Sequence, residues 1–231
     1  MSLYPPQKGI TMNLFIGDSL GLPNEQARFE DTIPYLLRGD VWVLCHTGAT
    51  VTEFKQTVME LSKFIPEGFF HKTVIQLGLA DCAPRPIAGY LRKELSRLKP
   101  VSFRKWIIKF LHNHRAFIQK HIGYYQRTPY EKFEQAFDVL LKMVILLSGV
   151  GGVVVILMPP VVDSMAAHSP GVRKEIIRYN HCMEACAVRY GVKVIDAVNQ
   201  LEGNPDKYLT NNGHLAKDGF KVITDMVGAM S

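Results

Sequence analysis

Two short stretches at opposite ends of the sequence hold residue types that can do chemistry together. Near the start, Asn13-Leu14-Phe15-Ile16-Gly17-Asp18-Ser19-Leu20-Gly21 runs an apolar segment into Gly-Asp-Ser. A serine at a strand-to-helix junction projects from the C-terminal edge of a sheet, where backbone N–H groups can face a developing negative charge. Serine is a poor nucleophile at neutral pH and needs a base. Of the eight histidines, His214 is best placed to serve. It lies in Leu209-Thr210-Asn211-Asn212-Gly213-His214-Leu215, a loop just before the last helical pattern, and such a loop falls at the same edge. His46 follows the second strand pattern and is placed to line such a site, whereas His112, His114 and His121 read as surface residues.

The elements that must position this pair follow from the hydrophobic pattern. Five short apolar runs, Asn13–Gly17, Val41–Cys45, Thr73–Gly78, Gly152–Met158 and Val192–Asp196, read as parallel strands buried on both faces. Helical patterns over Glu25–Leu37, Thr52–Phe64, Tyr130–Leu147, Pro170–Tyr190 and Lys217–Met230 separate or follow them. This alternation predicts right-handed βαβ units and an α/β fold, a three-layer α/β/α sandwich around a five-stranded parallel sheet. With no linker-like stretch, residues 1–231 read as one domain.

The connection after the third strand is too long for one crossover, so residues 85–129 read as a basic helical insert, with helices over Ile87–Leu98 and Ser102–Ile122. Trp106, Ile107, Phe110, Leu111, Phe117, Ile118 and Ile122 recur there at helical spacing. That stripe predicts a helix packed on the domain, with a membrane-binding face as the other reading. An insert at this point lies near the ligand-binding edge of the sheet, which suits a lid or a substrate-binding role.

Charge sharpens the view of the insert. The chain carries a formal +6, yet residues 85–135 hold twelve Lys/Arg against three Glu, a local +9 that leaves −3 for the remainder. Such a patch suits peripheral contact with an anionic surface, an acidic glycan or a nucleic acid. No zinc module, RNA-binding sheet motif or recognition-helix signature accompanies it, so no nucleic-acid partner is expected. Cys45, Cys82, Cys182 and Cys186 form no C-x-x-C pair and read as reduced thiols, which predicts a cytoplasmic protein. No His/Cys cluster has metal-ligand spacing, and the serine chemistry calls for no metal or organic cofactor. The first twelve residues lack a signal-peptide pattern, and Met12 reads as an alternative start. The apolar stretch Val139–Val162 is interrupted by Lys142, three glycines and two prolines, so it reads as a helix end, a turn and a strand rather than a membrane span.

Four blocks, in order, resemble the SGNH hydrolase family, also called GDSL esterases or lipases. They are Gly17-Asp18-Ser19; Thr47-Gly48-Ala49 after the second strand; Gly78-Leu79-Ala80-Asp81, where the family has Gly-x-Asn-Asp; and Asn211-Asn212-Gly213-His214, where the family has Asp-x-x-His. The resemblance covers the chain except for the insert. It implies a flavodoxin-like sandwich that hydrolyses or transfers ester-linked acyl groups, with Ser19 as nucleophile, His214 as base and Asn211 in the place of the orienting acid. It also places Gly48, Ala80, Asp81 and Asp18 in the oxyanion and substrate-binding set. Gly78 to Pro86 further resembles a variant third block from bacterial surface-polysaccharide gene clusters, which implies a small acyl group, such as acetyl, on a sugar. Arg85 at the exit of that block would pair with an anionic group on the substrate, or else bond loop carbonyls or an Asp.

Two departures weaken the apparatus. Ala80 replaces the asparagine whose amide is the third oxyanion donor, a loss on the order of 10²–10³ in rate in another hydrolase. Asn211 replaces the orienting aspartate, and the corresponding loss in a serine protease is about 10⁴. Asn24, five residues after Ser19, is a candidate to supply the missing amide, and Asp163 a candidate distant orienter. The competing reading is a catalytically impaired binding or regulatory protein on the same scaffold.

Overall fold

The computed structural model describes residues 12–37, 39–211 and 213–230. The expectations for residues 1–11 and for Asn212 lie outside these.

Strand β1 (Met12–Gly17) leads through a short turn region to α1 (Ile33–Leu36), and β2 (Asp40–Cys45) leads to α2 (Val51–Leu61). Strand β3 (Lys72–Gln76) is followed by α3 (Leu79–Cys82), then by α4 (Gly89–Arg97), α5 (Val101–Asn113) and α6 (Arg115–His121) of the insert. Next come α7 (Tyr130–Ser148), β4 (Val153–Ile156), α8 (Asp163–His168), α9 (Val172–Arg189), β5 (Lys193–Ile195), α10 (Ala197–Leu201), α11 (Pro205–Tyr208) and α12 (Lys217–Ala229). The strands form one parallel sheet in the order β2-β1-β3-β4-β5. All five expected strands are present, and the expected sandwich is the observed fold.

The period-two pattern decides which core each side chain joins. Leu14 and Ile16 of β1, Ile75 of β3 and Val153 and Val155 of β4 meet α2, α7 and α9. Phe15, Val74, Val154 and Ile156 point the other way and meet α1, α10 and α12. The chain goes from β1 outward to β2, then returns across β1 to β3 and onward. The order therefore reverses between β1 and β3, and their C-terminal ends open the crevice where such sheets bind ligands. Val139–Val162 resolves into the end of α7, a 3-10 turn and β4. Among the described residues no helix is long and apolar enough to cross a membrane.

Three expectations need correction. Strands β2 and β5 are not buried on both faces: they are the edge strands, with Val43 and Lys193 exposed. The helix expected over Glu25–Leu37 shrinks to one turn, because Pro34 has no N–H for a bond to Glu30 and its ring would clash with that carbonyl. Upstream, Asn24 accepts from Gln26 N at 2.9 Å and pairs back with Ala27, which turns the chain instead. Lastly, the insert buries only Ile118 of its apolar stripe and half-buries Ile107 and Leu111. The helix breaks at His114, α5 has no buried residue, and Trp106, Phe110, Phe117 and Ile122 stand exposed. Phe103, Trp106, Phe110 and His114 stack ring on ring along the outside, so they cover one another instead of the sheet. The insert is held by α6, where Gln119 Nε2 and Arg115 Nη2 both donate to the Pro84 carbonyl.

Candidate active site

Ser19 comes directly after Asp18 at the end of β1 and begins a single 3-10 turn, Ser19–Gly21. The preceding Asp18 is extended, and its carboxylate accepts from Leu20 N at 2.9 Å and from Ala80 N at 3.3 Å. Its own N–H donates to the Gln76 carbonyl, and its carbonyl accepts from Cys45 Sγ at 3.0 Å. Asp18 therefore fastens the serine turn to β2 and to the start of α3. Gly78 makes the β3–α3 junction tight enough for this, with φ at +119°, a region that favours glycine.

Asp81 performs the same service one turn later. Its carboxylate accepts from Val51 N at 3.1 Å, capping α2, and from Thr128 Oγ1 at 2.5 Å. Its carbonyl accepts from Arg127 N and Thr128 N. The third block is thereby tied to the start of the helix that follows Gly48. Gly48 turns the chain after β2 with φ at +71°, and its carbonyl accepts from Arg127 Nη1.

Asp18 and Asp81 thus do not belong to the substrate-binding set where the sequence placed them. Both are 0% exposed, and helix-terminal N–H groups occupy their oxygens, so neither can touch a ligand. Burial, the largest cause, pushes the Asp18 carboxyl up to about 6 against the pull of its backbone N–H partners. Burial likewise pushes Asp81 up to about 7, opposed by Thr128 and Val51 and reinforced by the charge of Asp18. An acid raised on folding stabilises the fold fully below its unfolded value, and that contribution falls as pH rises toward the folded value. Replacing Asp81 with Asn removes this pH dependence. The stability of Asp81→Asn relative to wild type should therefore increase between about pH 4 and 7, by about 2–4 kcal/mol in all at 1.36 kcal/mol per pH unit. Urea unfolding at half-unit pH steps measures it, and a flat difference would refute the buried-acid assignment.

At the other end of the chain, His214 sits in a tight loop closed by a bridge between Leu209 and Leu215. Thr210 N donates to the His214 carbonyl at 2.8 Å, and His214 N donates to Thr210 Oγ1 at 3.2 Å. Asn24 Nδ2 donates to the Leu215 carbonyl at 2.8 Å. Asn24 is therefore a staple between the serine loop and the histidine loop, and it lines a cavity that Ser19 opens into. Asn211 is exposed, and its carbonyl accepts from Ser164 Oγ at 2.7 Å. Asp163, the suggested distant orienter, is fully exposed and pairs with Arg173.

Ser19 opens into two cavities. One, of about 300 Å³, is lined by Ser19, His214, Thr210, Thr47 and Asn24 among others. The other, of about 590 Å³, is lined by Ser19, Gly48, Ala80, Asn211 and Arg85, together with residues of the insert and α8. The nucleophile and base candidates from the two chain ends thus share one wall, and Gly48 and Ala80 share the adjoining one. Among the described residues neither Ser19 N–H nor Gly48 N–H has an acceptor, so both remain available to an oxyanion. His46 instead packs on Phe54.

Sequence reasoning missed His112, Arg115 and His168. His112, read as a surface residue, and His168 meet ring to ring at 5.1 Å on the wall of the larger cavity. Burial, then Arg115 and His112, hold His168 below the usual histidine range. No spacing in the sequence announces them, because the insert and α8 meet only in the folded chain. Arg85 lines the same wall, and its Nη2 reaches the Ala80 carbonyl at 3.4 Å, so it bonds a loop carbonyl while bordering the crevice.

This fold is the one seen in solved GDSL, or SGNH, hydrolases. The chain is similar to a lipase/acylhydrolase from Enterococcus faecalis, at a TM-score of 0.60 and 14% identity over 94% of this chain and 93% of that one. It is also similar to a member of the lipolytic protein G-D-S-L family from Veillonella parvula, with a TM-score of 0.55 and 11% identity over 95% and 97%. A third likeness is to the acetylxylan esterase Axe2 from Geobacillus stearothermophilus, with a TM-score of 0.56 and 16% identity over 95% and 93%. No protein-family model and no curated protein matches the sequence, so the likeness resides in the fold.

Proposed function

We propose that the protein is a serine ester hydrolase that removes a small acyl group, such as acetyl, from a carbohydrate. The observation that carries this reading is the shared cavity of Ser19 and His214 at the C-terminal edge of the sheet. Ser19 Oγ attacks the ester carbonyl carbon as His214 takes its proton. The N–H groups of Ser19 and Gly48 hold the oxyanion of the tetrahedral intermediate. Collapse breaks the ester bond, and His214 returns the proton to the departing sugar oxygen. Water, or a sugar hydroxyl in its place, then attacks the acyl-enzyme with His214 again as base and regenerates Ser19. Asn211 stands where the orienting acid would be, and Ala80 leaves the third oxyanion position without an amide.

The carbohydrate part rests on the fold likeness to acetylxylan esterases. The whole chain works as one domain, with residues 85–129 as an insert beside the site. Four free thiols suit a reducing cytoplasm. The test is labelling with a fluorophosphonate probe alongside p-nitrophenyl acetate hydrolysis. Labelling at Ser19 and turnover are expected together. Failure of both would leave a binding protein on a hydrolase scaffold.

A further inference from the structure

Beyond the catalytic crevice lies another cavity, of about 420 Å³, between α4 and α5 of the insert. Four arginines line it, Arg85, Arg92, Arg104 and Arg115, with His112 beside them and apolar residues making up much of the remaining wall. Among the described residues no carboxylate pairs with any of the four: the insert's own ion pair joins Arg97 to Glu94, outside the cavity. Arg85 instead feels Arg92, Arg127 and Arg115, whose like charges, after burial, lower its pKa; Asp81 opposes them, and its oxygens are already taken.

Arg85, Arg104 and Arg115 are also held in place with donors to spare. Arg115 Nη2 donates to the Pro84 carbonyl at 2.6 Å and to Ser169 Oγ at 3.1 Å. Arg104 Nη1 donates to the Ser96 carbonyl at 2.6 Å. The Nε–H groups of Arg85 and Arg115 are buried and have no acceptor. Like charges gathered without a counter-charge, with guanidinium N–H groups beyond those already used, form a site built for an anion with several oxygens. Its place in the molecule gives it a use. Arg85, His112 and Arg115 line this cavity and the Ser19 cavity alike, so the two adjoin.

We infer that this arginine cavity is a subsite for a carboxylate or phosphate carried by the substrate, so that the ester at Ser19 belongs to an acidic saccharide. The inference rests on the hydrolase reading for the ester end, whereas the anion end stands on the arginines alone. The apolar walls suit the C–H faces of a sugar ring, and the guanidinium forks read its acidic group. A neutral acetylated sugar reaches Ser19 without this anchor.

The test separates binding from chemistry. Ser19→Ala protein is titrated calorimetrically with acetylated oligogalacturonate, an acetylated hexose phosphate and acetylated xylo-oligosaccharide. At least one acidic ligand should bind about 10- to 100-fold tighter than the neutral one at low salt, as expected when charge-assisted hydrogen bonds are added. The stronger of the two acidic arms identifies carboxylate or phosphate as the group read. The preference should shrink as salt is added. It should collapse in Arg92→Gln/Arg104→Gln, whose fold is checked by circular dichroism, and return in part in Arg92→Lys/Arg104→Lys. Equal binding of neutral and acidic ligands overturns the inference without use of any arginine variant. So does tighter binding of a single-stranded RNA oligomer, which would make the cavity part of a nucleic-acid surface. Because this titration needs no turnover, absence of Ser19-dependent hydrolysis would sink the hydrolase reading and leave the anion subsite standing.

Discussion

Ser19→Ala is expected to lower kcat for p-nitrophenyl acetate by roughly 10²- to 10⁴-fold, with His214→Ala nearly as damaging. The size comes from the surroundings of the pair. A complete serine triad is worth about 10⁶ in another hydrolase. An amide in place of the orienting acid removes about 10⁴ of such an advantage. Asn211 in that place sets the lower end of the range, and orientation of the His214 ring by the groups around its tight loop sets the upper end. The two substitutions should not add. A serine without its base and a base without its serine both leave only binding and the oxyanion N–H groups, so the double variant should match the worse single one. Steady-state kinetics at saturating substrate gives these ratios. Unchanged turnover in Ser19→Ala would place the chemistry elsewhere.

Ala80→Asn should act in the opposite direction and raise kcat about 10²-fold, with little change in KM. Ala80 lines the cavity with Ser19 and Gly48, and its N–H is fixed by the Asp18 carboxylate at 3.3 Å. Its Cβ therefore has a defined place, and an amide built there faces a roomy cavity of about 590 Å³. One oxyanion donor is worth about 10²–10³ because it acts on charge that develops only in the transition state. That is why the gain belongs in kcat. Ala80→Asp is the control: a carboxylate of the same shape repels the oxyanion and should give no gain. Equal rates for wild type, Ala80→Asn and Ala80→Asp would mean that the oxyanion does not form beside residue 80.

Most of the architecture was legible in the residues. Five short aliphatic runs separated by helical patterns leave one economical arrangement, since parallel strands need crossovers and the crossovers share a hand. Gly17-Asp18-Ser19 and the His214 loop could be assigned to one edge for the same reason: in a parallel sheet, a loop between a strand and its next helix falls at the C-terminal end of the strands. Under the resemblance to GDSL hydrolases, the identities at positions 80 and 211 alone imply a reduced apparatus.

The fold alone decided which polar residues face the crevice. Asp18 and Asp81 look like site residues in the sequence, but the structure turns them inward to cap helices, because a buried carboxylate is tolerated where several N–H groups converge. Asn24 became a staple because its partner, the Leu215 carbonyl, lies near the far end of the chain. The apolar stripe of the insert read as buried, since periodicity records that a helix has an apolar face and not what that face meets. Apart from Arg85, the arginines of the insert read only as a basic stretch for the same reason. Periodicity and local chemistry are written in neighbouring residues and determined the sheet, the candidate nucleophile and its candidate base. The buried acids, the staple between the two loops and the arginine cavity depend on contacts between distant segments, and only packing brings those together.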